Sequence, residues 1–209
     1  MKITIAGVGQ VGTYYAEKWH RAGHQLTLTY YRDRNKVDAF AAGLGSDVSI
    51  APPVQAIADA EVILFCPRFE HIQDLAEKIG DVGQRILIDA NNPFNPERTG
   101  PASLPVNQTA ATLVASLFPS ARQVKALHNL GIQTILNHQP RKLIGFVAGD
   151  DTEAVGVVSS LLSEALLDPM PTGSLSTSAL SEYPGPLFGM PFNRKEAETT
   201  LEQARAAMN

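Results

Sequence analysis

Apolar residues along the chain alternate between short dense runs and longer stretches with helical spacing. Dense runs at residues 2–6, 25–30, 61–66, 85–90, 123–127 and 143–148 predict strands. Those at 61–66 and 85–90 are almost continuously apolar, as strands covered on both faces should be. Residues 13–22, 36–42, 69–79, 110–117 and 152–166 have helical spacing, with Gly23, Gly43 and Gly45 placed as stop signals. A short last strand is expected to begin at 168–171, and a charged helix at 195–207. Residues 91–107, rich in Asn, Pro and Gly, form a connection of the length that usually carries function or is disordered. Strands alternating with helices predict an α/β fold of Rossmann type, a doubly wound, mostly parallel sheet with a short C-terminal extension. Residues 1–149 read as the main domain and 150–209 as a βα extension packed on it.

The first strand runs straight into Gly7-Val8-Gly9-Gln10-Val11-Gly12, which has the spacing G-x-G-x-x-G. Alone that spacing is weak. Here it follows a strand, opens a helix and lies within a unit that ends at a second strand, the context a dinucleotide requires. Gly7 then permits the tight turn, Gly9 lets a pyrophosphate approach the backbone, and Gly12 lets helix pack on strand. The helix N-terminus offers N–H groups and partial positive charge to the phosphates, Gln10 and Val11 among them.

The end of the second strand selects the dinucleotide. A domain for NAD usually carries an acid there to hold the ribose hydroxyls. This chain has Tyr31-Arg32-Asp33-Arg34-Asn35-Lys36. Three cations, Arg32, Arg34 and Lys36, suit a 2′-phosphate, with Arg32 as the bidentate partner and Tyr31 or Arg32 against the adenine. The competing readings are Asp33 as a late ribose acid, or the whole run as a solvated helix start. NADP(H) is the expected nucleotide.

Ligands in open α/β sheets lie beyond the carboxyl ends of the strands. Those ends supply Cys66, Pro67 and Phe69, then Asn91 and Asn92, then His128. Against a ligand role stand a small buried residue for Cys66, turn chemistry for the asparagines, and a structural histidine for His128.

Composition narrows the classes. With 44% hydrophobic and 18% charged residues in 209, the chain is an ordinary globular one. A net charge of −4 argues against a nucleic-acid surface. No apolar run approaches a membrane span, and the N-terminus reads as a strand, not a signal peptide. A single cysteine leaves no intrachain disulfide and no cysteine-cluster metal site, so no metal is expected. The expected location is cytoplasmic.

Taken in order, five segments resemble the NADPH-dependent reductases of coenzyme F-420, an 8-hydroxy-5-deazaflavin. They are similar also to bacterial dinucleotide-binding relatives and to the cytosolic reductase domain of animal membrane ferric reductases. The segments are Gly7 to Gly12; Tyr31-Arg32-Asp33 with Lys36; Ile88-Asp89-Ala90-Asn91-Asn92-Pro93; Val124-Lys125-Ala126-Leu127-His128-Asn129; and Val147-Ala148-Gly149-Asp150-Asp151. The resemblance implies hydride transfer between NADPH and a flavin or deazaflavin (FMN, FAD or the 8-hydroxy-5-deazaflavin) held face to face in a cleft. It implies that the C-terminal segment helps form that cleft, often in a homodimer. It also implies that the glycine loop, Arg32 and Lys36 hold NADP, with Pro67, Phe69, Asn91 and His128 near the nicotinamide.

No Ser/His/Asp, zinc or P-loop pattern is visible. Transfer between two redox cofactors needs mainly proximity and orientation, because the cofactors carry the chemistry. His128 is therefore expected to position a ring and not to catalyse, and the partner is a small molecule. The alternatives are an NADP-dependent dehydrogenase of a small hydroxy or imino acid, and a non-enzymatic NADP(H) sensor.

Overall fold

A computed structural model describes residues 1–29 and 33–207. Eight strands form one sheet in the order β3-β2-β1-β4-β5-β6-β7-β8. They are β1 (Lys2–Ala6), β2 (Gln25–Thr29), β3 (Ser49–Ala51), β4 (Val62–Phe65), β5 (Ile86–Asp89), β6 (Arg122–Lys125), β7 (Ile144–Gly149) and β8 (Asp168–Gly173). All neighbours are parallel except β6 and β7. This is the doubly wound, mostly parallel sheet that the alternation predicts.

The flanking helices are α1 (Gln10–Arg21), α2 (Arg34–Leu44), α3 (Pro53–Ala56), α4 (Ile72–Ile79), α5 (Ala110–Leu117), α6 (Ile132–Asn137), α7 (Thr152–Glu164) and α8 (Arg194–Ala206). Strand alternation divides the core. In β4, Val62 and Leu64 point to one face and Ile63 and Phe65 to the other, and all four are fully buried. The first face packs on α1 and α7, where the Trp19 indole donates to the Leu161 carbonyl at 3.0 Å. The second packs on α4 and α5 through Leu75, Ile79, Val114 and Phe118. Each such side chain contributes about 1.5–3 kcal/mol by leaving water. A third cluster joins Ile144 and Phe146 of β7 to Leu187, Ala197 and Leu201, fastening the C-terminal elements to the sheet.

Several elements depart from the expected boundaries or escaped prediction. α1 starts at Gln10, three residues earlier than the apolar spacing suggests, because the helix opens directly from the glycine loop. β6 stops at Lys125 instead of running to 127; Leu127 adopts a left-handed φ of 61°, which breaks the ladder. β3, α3 and α6 have three, four and six residues, too short for periodicity to register.

Candidate functional site

The parallel strands β1, β4, β5 and β6 deliver their carboxyl ends to one edge, and a cavity of about 650 Å³ lies there. Its walls include Gly9, Gln10 and Val11 from the first loop; Cys66, Pro67 and Phe69 after β4; Asn91 and Asn92 after β5; and Leu127 and His128 after β6. Nine of the sequence candidates thus meet in one space.

The glycines divide the work as their spacing suggests. Gly7 has φ 129°, and a Cβ there would stand 2.7 Å from the Cys66 carbonyl. At Gly12 a Cβ would stand 1.9 Å from the Gly7 carbonyl oxygen, so loop and helix can pack only around glycine. At Gly9, among the described residues, no atom beyond the local backbone lies within 4 Å of the Cβ position. Gly9 is also the N-cap of α1, with no side-chain cap and no acid in the first turn. An open approach, uncapped N–H groups and an uncompensated helix dipole fit a dinucleotide pyrophosphate.

Other candidates behave differently. The Cys66 thiol donates to the Gly7 carbonyl at 3.1 Å, and burial pushes its pKa up to about 12, so its side chain braces the loop. Asn92 has both ends of its amide engaged, donating to the His128 carbonyl at 2.7 Å and accepting from the Tyr183 amide at 3.0 Å. It stitches β5 and β6 to the C-terminal segment. Arg34 and Lys36 are exposed in the first turn of α2, away from the cavity wall, and Arg34 pairs with Asp38 at 3.4 Å. Asp33 caps α2, its carboxylate accepting from the Lys36 amide at 3.1 Å, which gives it a structural duty. Tyr31 and Arg32 lie outside the described residues.

Beneath the cavity lies a charged network that pattern reading missed. Lys125 is fully buried, 3.0 Å from Asp89 and 3.3 Å from Glu182, and donates to the Asn91 carbonyl at 2.5 Å. Asp89 accepts from the Asn91 backbone amide at 2.9 Å and its side-chain amide at 2.8 Å, while Glu182 accepts from the first two amides of α5. Burial raises the Asp89 pKa, and Lys125 opposes that rise. The signal was an acid ending one buried strand and a lysine ending its neighbour, which the register sets side by side.

His128 is buried, with Nε2 2.9 Å from the Ser181 hydroxyl. Burial first, and then the charge of Lys125, hold its pKa well below 6.5, so the ring is neutral. Its Nδ1 and the Asn91 Oδ1 are buried without a hydrogen-bond partner among the described residues. Beyond them Phe94 and Phe188 wall the cavity, with Tyr183 stacked on Phe94 at 4.4 Å between centroids. Gly189 is tied in through its amide to the Asn129 carbonyl at 2.8 Å. Among the described residues, no group of three or more His, Cys, Asp or Glu could hold a metal ion, and no helix is long and apolar enough to cross a membrane.

Comparison with known proteins agrees with this geometry. Residues 2–93 match the family model described as NADP oxidoreductase coenzyme F420-dependent. Metalloreductase STEAP3 of Rattus norvegicus is 29% identical over 180 residues, which cover 85% of this chain and 35% of that protein. A glycerol-3-phosphate dehydrogenase (NAD(P)+) of Thermoanaerobacter sp. is 26% identical over 102 residues, covering 44% of this chain and 31% of that protein. The chain therefore spans about a third of the length of these relatives. A solved hypothetical protein of Sinorhizobium meliloti superposes with a TM-score of 0.81 at 23% identity, over 93% of this chain and 96% of the other. A proposed F420-dependent NADP reductase from Arthrobacter sp. FB24 gives 0.71 at 22% identity, over 85% and 87%. At these identities the two structures speak for the fold alone. The chain resembles the coenzyme F420-dependent NADP oxidoreductase family, and the matched stretch, residues 2–93, carries the glycine loop and the ends of β1, β4 and β5.

Proposed function

We propose that the protein transfers hydride between NADPH and a flavin or deazaflavin. The observation that carries this reading is the single cavity bounded by the glycine loop on the β1 side and by Phe94 and Phe188 beyond β5 and β6. When bound, NADPH supplies a hydride that a flavin-type ring can accept, with the accompanying proton taken from solvent. The chain's own part is to hold and orient. Gly9 and the first amides of α1 bind the pyrophosphate. Pro67, Phe69, Asn91 and His128 bound the nicotinamide, and Phe188 and Gly189 close the far wall as part of a C-terminal extension, 150–209, packed on the 1–149 domain. Two flat rings pressed between such walls gain proximity, which is most of what this reaction needs. The test is loss of NADPH absorbance with FMN, FAD or an 8-hydroxy-5-deazaflavin as acceptor. Turnover is expected with at least one. Binding of NADPH without turnover would replace the reading with a sensor, and turnover of imines or hydroxy acids alone with a dehydrogenase.

Two further results are expected. Arg32→Ala should weaken NADPH about 10–150-fold relative to NADH, the equivalent of about 1.5–3 kcal/mol of charge-assisted hydrogen bonding. Titrating both nucleotides checks it, and an equal loss for both would place Arg32 elsewhere. His128→Asn should slow NADPH oxidation by less than about tenfold, short of the 10²–10⁴ typical of a lost acid or base. Because burial lowers the His128 pKa well below 6.5, the rate profile from about pH 6.5 to 8 should keep its shape. A thousandfold loss with a vanished limb near the ordinary histidine pKa would make His128 a proton donor.

A further inference from the structure

Among the described residues, three charged side chains line the cavity: Arg68, Glu70 and Arg98. Arg68 and Glu70 cancel, paired at 2.7 Å, and Arg68 also donates to the Pro96 carbonyl at 2.6 Å. Arg98 is in no ion pair among the described residues; its guanidinium lies over the Phe94 ring, 5.0 Å from the centroid. Among the described residues, Arg98 is therefore the one uncompensated cation on the cavity wall.

The loop is built to present it. Arg98 adopts φ 57°, a left-handed conformation that a non-glycine residue keeps only where its surroundings hold it. Asn95 holds it, its Oδ1 accepting from the Thr99 and Gly100 amides at 2.9 and 3.3 Å while its carbonyl accepts from the Arg98 amide at 2.9 Å. The Phe94–Pro101 bridge closes the base. Arg98 follows β5, two strands away from the glycine loop at β1, with β4 between. It thus stands beside the aromatic wall where the acceptor ring would rest, not beside the pyrophosphate cradle. A guanidinium stacked on an aromatic ring is partly pre-organised and offers a planar fork that matches a phosphate.

We propose that Arg98 is a specificity-determining residue that takes the terminal phosphate of a phosphorylated flavin-type acceptor. This rests on the hydride-transfer reading for the ring, but the phosphate contact is measurable by binding alone. FMN and riboflavin differ only in that phosphate. Each is titrated, by quenching of flavin fluorescence, into wild type and Arg98→Ala with NADP+ saturating, and NADP+ affinity is measured separately. Wild type should bind FMN about five- to tenfold more tightly than riboflavin, the range of a partly exposed charge-assisted contact. Arg98→Ala should bring FMN to the riboflavin level and leave riboflavin and NADP+ unchanged. Equal affinities in wild type, or no binding of either flavin, overturn the proposal. An equal loss of both in the variant would reduce Arg98 to packing on Phe94. A loss of NADP+ affinity would assign the cation to the nucleotide. If the FMN preference holds while no flavin oxidises NADPH, the Arg98 assignment stands and the hydride-transfer reading fails.

Discussion

Gly9→Val is expected to abolish binding of NADPH and NADH alike while leaving the protein folded. The two halves of that statement come from one measurement. Among the described residues no atom beyond the local backbone lies within 4 Å of the position a Cβ would take, so a branched side chain meets none of them. Its backbone, at φ −103°, is one that any residue adopts. What valine would fill is the approach to the first amides of α1. Each charge-assisted hydrogen bond lost there costs about 1.5–3 kcal/mol, and losing two or more lowers affinity by more than about a hundredfold. Nucleotide fluorescence titration with a thermal melt on the same sample checks both halves. A folded variant that retains NADPH would show that the phosphates lie elsewhere. The contrast with Gly12 sharpens the result, because a Cβ there would sit 1.9 Å from the Gly7 oxygen and folding itself would suffer.

The glycine loop was legible in the sequence because its geometry is local. Strand, turn and helix N-terminus are contiguous, so the spacing read in that context predicts the shape of the loop. The apolar runs at β4 and β5 were legible for a similar reason, since a strand buried on both faces has few polar positions, Asp89 at the end of β5 being one. What escaped was assembly between distant segments. Residues 181–189 look like a Pro/Gly-rich tail, yet Ser181 meets His128, Glu182 meets Lys125, and the Tyr183 amide meets Asn92. None of these pairings has a period. Asp33, for which a ribose contact was one competing reading, stands one residue before α2 and caps it. Arg98 lay within a connection recognised only as long, and its direction depends on an Asn95 turn that composition does not reveal.

Lys125→Met should destabilise the fold by about 3–5 kcal/mol, the loss expected when one partner of a buried ion pair is removed. Methionine matches the length of the stem and keeps the packing, so the effect isolates the charge. The wild-type site holds one cation between two carboxylates, Asp89 at 3.0 Å and Glu182 at 3.3 Å, all buried. Without the ammonium, both acids remain buried with no cation against them, and the Asn91 carbonyl loses its donor. The deficit should also depend on pH, with a sign that can be worked out. Burial already raises the Asp89 pKa against the opposing charge of Lys125, so removing that charge raises it further. A carboxyl whose folded pKa lies above its unfolded value of about 3.9 binds more protons folded than unfolded between the two values. Stability then falls as pH rises through that window and is recovered as pH falls. Urea denaturation of wild type and variant near pH 5 and near pH 8 should show the larger deficit at the higher pH. Asp89→Asn in the Lys125→Met background should restore part of the loss by removing one stranded charge. A deficit below about 1 kcal/mol, or one equal at both pH values, would mean that the network is hydrated and the acids are not stranded when the lysine is gone.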